Sequence, residues 1–201
     1  MLIIGLTGPS GAGKGVVSSL LAEYGIPSID TDAVYHELLV PPSACLDELS
    51  ARFGSSVLTP DGTLNRKALA ALVFSEGHEA DLTDLNRITH RHILDETRRR
   101  LALHKAEGRR AAVVDAPQLF ESGFDAECHR ILVVLAPYDA RLSRILSRDD
   151  ITEAQAVARL NAAHPDDFFR EHADAVLYND GTPESLSEDI RRCLQRWEVL
   201  P

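Results

Sequence analysis

The stretch Leu2-Ile3-Ile4-Gly5-Leu6-Thr7-Gly8-Pro9-Ser10-Gly11-Ala12-Gly13-Lys14-Gly15 sets the fold. It begins as an apolar run, passes into a glycine-rich turn and ends where a helical pattern starts. Gly8 and Gly13 stand five apart and Lys14 follows, which is the spacing of a loop that wraps a phosphate. A helix N-terminus offers unpaired N–H groups and partial positive charge, and so suits an anion. Glycines let the backbone close on a phosphate without Cβ clashes. Lys14 adds a point charge near the β- and γ-phosphates of a nucleotide. Val16, Val17, Leu20 and Leu21 then continue at helical spacing. The nucleotide-binding candidates are therefore Gly8, Ser10, Gly11, Ala12, Gly13, Lys14, Gly15 and Val16. Position 15 departs from the pattern, which calls for Ser or Thr.

Working outward, 201 residues suffice for one domain with an insertion and a real core. A hydrophobic fraction of 44% with 26% charged residues is that of a soluble globular chain. The net charge of −10 argues against general nucleic-acid binding. It leaves a nucleotide substrate open, because basic residues gather locally between Arg141 and Arg148. No apolar run approaches the roughly 20 residues of a membrane span, and no basic leader precedes the first strand. The expected location is cytoplasmic. Cys45, Cys128 and Cys193 are far apart and read as thiols in a reducing compartment, with neither a disulfide framework nor a metal pair.

After the loop, a helix is expected over about residues 14 to 24, closed by Gly25. Ile26-Pro27-Ser28-Ile29-Asp30 reads as a second strand. It ends in Asp30-Thr31-Asp32, a carboxylate pair where open α/β sheets put their chemistry. One of the two is expected to cap the next helix; Asp32 is taken as the chemical one. Pro41-Pro42 breaks the chain. Residues 43 to 110 then read as mostly helical, in segments near 43–53, 65–74 and 79–106, and look like a substrate-binding lobe. Arg98, Arg99 and Arg100 read as a solvated face.

Ala111-Ala112-Val113-Val114-Asp115 is a third strand ending in an acid suited to Mg²⁺ or its water. Arg130 to Ala136 is a fourth, buried on both faces. A helix over about 138 to 148 should place Arg141, Arg144 and Arg148 on one face, with Leu142, Ile145 and Leu146 on the other. Thr152-Glu153-Ala154-Gln155 is a capping box opening a second helix. Arginines on such a hairpin suit a lid that closes on a transferring phosphoryl group. Ala173 to Asn179 is the fifth strand. Thr182 and Pro183 open a last helix whose Leu186, Ile190 and Leu194 are core residues.

With these motifs in place, the chain resembles the dephospho-CoA kinase family from end to end. Gly5 to Gly8 match the family's opening, and Asp30-Thr31-Asp32 its Asp-x-Asp. Asp61-Gly62-Thr63-Leu64-Asn65-Arg66 and Leu85-Asn86-Arg87-Ile88-Thr89-His90 match the motifs of its helical lobe. Asp115-Ala116-Pro117-Gln118-Leu119-Phe120-Glu121 is similar to its third-strand motif, Arg144 to Asp149 to its lid, and Asn179-Asp180-Gly181 to its closing segment. The resemblance implies a three-layer α/β P-loop kinase fold with a five-stranded parallel sheet. A nucleotide-binding core, residues 1–40 and 111–201, would carry a lid at about 145–170. A CoA-binding lobe, 41–110, would be inserted between strands two and three.

It further implies transfer of the ATP γ-phosphoryl to the ribose 3′-hydroxyl of dephospho-CoA, with Mg²⁺. Asp32 would be the base and would touch the acceptor. Lys14, Arg144 and Arg148 would serve the phosphoryl group, with Arg148 also on the nucleotide. Arg66, Asn86, His90 and Pro117 would hold the acceptor, and Asp115 the metal. Gly15 and Val16 in place of Ser-Thr, Arg91 in place of proline and Ala163 in place of glutamine depart from the family. Two other readings stay open at this point: another P-loop small-molecule or nucleotide kinase, and a nucleotide-binding protein without turnover.

Overall fold

The computed structural model describes residues 1–75 and 78–201. Among them, five parallel strands form one sheet: β1 (Leu2–Thr7), β2 (Ser28–Asp30), β3 (Ala111–Asp115), β4 (Arg130–Leu135) and β5 (Ala175–Tyr178). Their order is β2-β3-β1-β4-β5. Leu6 is paired with Asp115 on one side and with Leu132 on the other. β3 is buried at every position and β1 over its last four residues, as strands covered on both faces must be. The chain leaves β1 toward one edge of the sheet and leaves β4 toward the other. Such a reversal opens a crevice at the carboxyl ends of the two strands, and the 8–15 loop sits there.

On one face, α1 (Lys14–Glu23) and α9 (Pro183–Arg196) pack Val17, Leu21, Leu186, Ile190 and Leu194 onto Ile4, Leu6, Ala111, Val113, Leu132 and Leu177. On the other, Phe169 of α8 (Asp166–His172) lies against Val133 and Leu135. Strand side chains alternate in direction. Asp115, two residues beyond Val113, therefore belongs to the face that α1 covers.

The chain divides into two compact units: Met1–Ile29 with Leu101–Pro201, and Asp30–Arg100. α2 (Thr31–Leu38) groups with the helical unit, and α5 (Glu79–Ala106) runs through its far boundary. The helical unit also holds α3 (Ala44–Phe53) and α4 (Arg66–Val73), close to the bounds read from the sequence. Its core is Leu39, Cys45, Leu46, Leu49 and Ile88, with a second cluster of Val57, Leu69 and Val73. Arg98, Arg99 and Arg100 pair with Asp95, Glu96 and Glu37 along the surface, as a solvated face does.

After β4 come α6 (Tyr138–Arg148) and α7 (Glu153–Ala162), the latter opened by the Thr152–Gln155 capping box. The expected division of α6 into an arginine face and an apolar face needs correction. Arg141 is only 9% exposed and pairs with Asp166 at 3.6 Å, whereas Leu146 is exposed. The cause is α8, which supplies Asp166 and which the sequence pattern did not announce. No helix among the described residues is long and apolar enough to cross a membrane.

Candidate active site

The loop after β1 closes tightly on its surroundings. Gly8 has φ 145°, and a Cβ there would lie 2.2 Å from the Val134 carbonyl oxygen of β4. Gly13 caps α1 in the left-handed region at φ 99°, where a Cβ would meet Asn179 Nδ2 at 2.0 Å. Only glycine fits either place. Ala12 N–H donates to Pro9 O at 3.1 Å and Val16 N–H to Gly13 O at 3.0 Å, so the turn winds directly into the helix. Lys14 Nζ reaches back to Gly8 O at 3.2 Å, which lays the ammonium along the loop. Ser10 and Gly11 are half-buried, Ala12 is fully buried, and Gly15 and Val16 are exposed.

Arg144 braces the loop from the α6 side. Its Nη1 donates to Gly11 O at 3.2 Å and Ala12 O at 3.3 Å, and its Nη2 to Asn179 O at 3.0 Å. Asn179 Nδ2 donates to Ala12 O at 2.8 Å. In a planar trans peptide, turning the Ala12 carbonyl toward these donors turns Gly13 N–H the opposite way. Arg144, expected on the transferring phosphoryl group, donates here to loop carbonyls. Asn179 was not among the candidates, because nothing local to residue 179 marks a partner at residue 12. Arg148 is exposed and bonded to the Asp149 carboxylate, which Arg159 also meets at 2.5 Å. These bonds, Arg148's first, hold the Asp149 pKa down at about 2.

Asp115 ends β3 with 9% exposure, and its Oδ2 accepts a hydrogen bond from Ser18 Oγ of α1 at 2.8 Å. Ser18 is a second residue that the motifs missed. Pro117 lies exposed just beyond Asp115. Among the described residues, no three His, Cys, Asp or Glu side chains cluster as a ready metal cage.

In the helical unit, Asp30 is the acid that caps, as one of the pair was expected to. Asp30 Oδ1 accepts from Asp32 N–H at 2.8 Å and Ala33 N–H at 3.1 Å, capping α2. Asp32 is thereby set in the first turn with its side chain exposed. Arg66 begins α4 and places Nη2 3.2 Å from His36 Nδ1. Asn86 is exposed and His90 half-buried, one turn apart on the same face of α5. Arg91 and His92 both meet Glu48, whose pKa is lowered chiefly by the His92 hydrogen bond. The structure thus groups Asp32, Arg66, Asn86 and His90 in one unit, and the loop, Asp115, Pro117, Arg144 and Arg148 in the other.

A family model described as dephospho-CoA kinase matches residues 2–185. The chain belongs to the dephospho-CoA kinase family. A dephospho-CoA kinase of Corynebacterium efficiens is 39% identical over 194 residues, covering 96% of each chain. A crystal structure of a Thermus thermophilus protein superimposes with TM-score 0.74 at 31% identity, over 98% of this chain and 96% of that one. The dephospho-CoA kinase of Campylobacter jejuni shares the fold, with TM-score 0.69 at 22% identity, over 97% and 96%. Dephospho-CoA kinases are ATP-dependent phosphotransferases, and their product is CoA.

Proposed function

We propose how this chain's residues carry out the dephospho-CoA kinase reaction. The 3′-oxygen of the acceptor ribose attacks the γ-phosphorus of ATP. The bond from that phosphorus to the β-γ bridging oxygen breaks, ADP leaves, and the hydroxyl proton passes to the Asp32 carboxylate. Asp30, not Asp32, caps α2. The backbone N–H groups of the loop and α1, with Lys14, hold the nucleotide phosphates, and Arg144 keeps that loop in shape through its carbonyls. Arg148 supplies positive charge to the phosphoryl in flight. Arg66, Asn86, His90 and Pro117 hold the acceptor.

Mg²⁺, when bound with ATP, neutralises charge building on the phosphate oxygens. The donor set fits that ion. Asp115 would hold it through a carboxylate oxygen, at the carboxyl end of β3 where Ser18 Oγ donates to its Oδ2. The ion would take its remaining oxygens from the nucleotide phosphates and water, as Mg²⁺ prefers. The protein would work in the cytoplasm, with ATP and dephospho-CoA rather than nucleic acid as its partners.

The observation that carries the proposal is the loop itself: glycines packed against β4 and Asn179 with no room for a Cβ, Lys14 laid along it, and a helix N-terminus behind it. The test compares wild type with Lys14→Ala and Asp32→Asn in CoA formation. Both variants are expected to lose turnover, with Asp32→Asn keeping its affinity for ADP. An Asp32→Asn enzyme that turns over at the wild-type rate contradicts the assignment of the base. A wild type that binds ADP but phosphorylates no acceptor favours a nucleotide-binding protein without turnover.

A further inference from the structure

The phosphate loop lacks the hydroxyl that normally follows its lysine and meets Mg²⁺. Gly15 has no side chain and Val16 carries only methyl groups. A Cβ at Gly15 would have no atom within 4 Å, so the position is open and nothing packs into the gap. A different hydroxyl reaches the acid of β3. Ser18 lies three residues beyond Gly15 on α1, and its Oγ donates to Asp115 Oδ2 at 2.8 Å.

Two periodicities bring these groups together. Ala111 and Val113 of β3 pack into the core that α1 covers, and alternation sends Asp115 to the same face. Val17 and Leu21 fix α1 on that core, both wholly buried, and Ser18 stands beside Val17 at the edge of the buried stripe. A carboxylate as covered as Asp115 requires a donor or a cation. A charge-assisted hydrogen bond of this length restricts rotation of the carboxylate and so fixes the direction of its lone pairs. A ligand oriented in advance binds a hard cation more tightly than one that must be ordered on binding.

We infer that Ser18 is a positioning residue of the metal site: it orients Asp115 toward Mg²⁺, one turn along α1 from a loop end that carries no hydroxyl of its own. The inference rests on the proposal that Asp115 serves the metal.

The experiment titrates Mn²⁺, a paramagnetic substitute for Mg²⁺, into the enzyme·ADP complex and counts free ion by electron paramagnetic resonance. ADP affinity without metal is measured in parallel by calorimetry. Ser18→Ala is expected to weaken Mn²⁺ binding about 10-fold or more, the usual loss when a ligand's hydrogen-bond partner is removed. Its metal-free ADP affinity should match wild type. Ser18→Thr, which keeps the hydroxyl, should restore the metal affinity, and Gly15→Ser added to Ser18→Ala should recover part of it.

Should Ser18→Ala lose its fold by circular dichroism, Ser18→Cys keeps the volume with only a weak donor and carries the same expectation. Mn²⁺ binding by Ser18→Ala within about twofold of wild type, a difference under 0.5 kcal/mol, overturns the inference. So does Ser18→Thr binding as weakly as Ser18→Ala. A wild type that binds ADP yet takes up no Mn²⁺ overturns the metal reading itself, and the inference with it.

Discussion

Replacing Arg144 by Met keeps an aliphatic stem on α6 and removes the guanidinium that donates to Gly11 O, Ala12 O and Asn179 O. The Ala12 carbonyl retains its 2.8 Å bond from Asn179, while Gly11 O, in a half-buried residue, turns to water. Hydrogen bonds to a charged group contribute about 1.5–3 kcal/mol each. These three share one guanidinium and one loop, so they do not sum, and the brace as a whole contributes about 2–3 kcal/mol. Each 1.4 kcal/mol is tenfold in affinity, so loosening the loop by about 2 kcal/mol weakens ADP binding up to about 30-fold.

Calorimetry with ADP, in the absence of metal and acceptor, reads this directly. Arg144→Lys should recover little, because an ammonium cannot bridge two carbonyls and Asn179 in the manner of a planar fork. An Arg144 that acted only on the phosphoryl in flight would lower kcat and leave ADP affinity untouched. ADP affinity within about twofold of wild type in Arg144→Met would refute the brace.

Two further outcomes are expected. Asp30→Ala leaves Asp32 N–H and Ala33 N–H uncapped and should cost about 1 kcal/mol in urea unfolding; an unchanged midpoint would show that α2 does not depend on the cap. The Glu96 carboxyl is held at about 2, chiefly by the hydrogen bond from Arg99 and then by Arg100, against an ordinary 4.5. Because the folded value is the lower one, its stabilisation is full above pH 4.5 and is lost as pH falls through 2. Glu96→Gln should therefore flatten the acid side of the thermal-stability profile in that window; an identical slope in variant and wild type would contradict the pairing.

Most of the frame was legible because its signals are local. An apolar run before Gly8 and helical spacing after Lys14 define β1 and α1 within a residue or two. The cap that Asp30 places on α2 follows from chemistry over three residues. Side chains that meet at long range were not legible. Ser18 reaches Asp115 through the alternation of β3 combined with the phase of α1, and neither element reveals the other. Arg144 and Asn179 converge on Ala12 from far along the chain. Arg141 reads as a companion of Arg144 and Arg148 on a helical wheel, but α8 brings Asp166 to it and allows its guanidinium to be buried.

The residue roles all depend on one reaction, and one measurement tests it. Purified protein is incubated with ATP, Mg²⁺ and dephospho-CoA, and the products are resolved by mass spectrometry, with AMP, CMP, shikimate and gluconate as rival acceptors. Formation of CoA and ADP in equal amounts, with the rival acceptors unchanged, is the predicted result. Phosphorylation of a rival acceptor while dephospho-CoA remains untouched would contradict it.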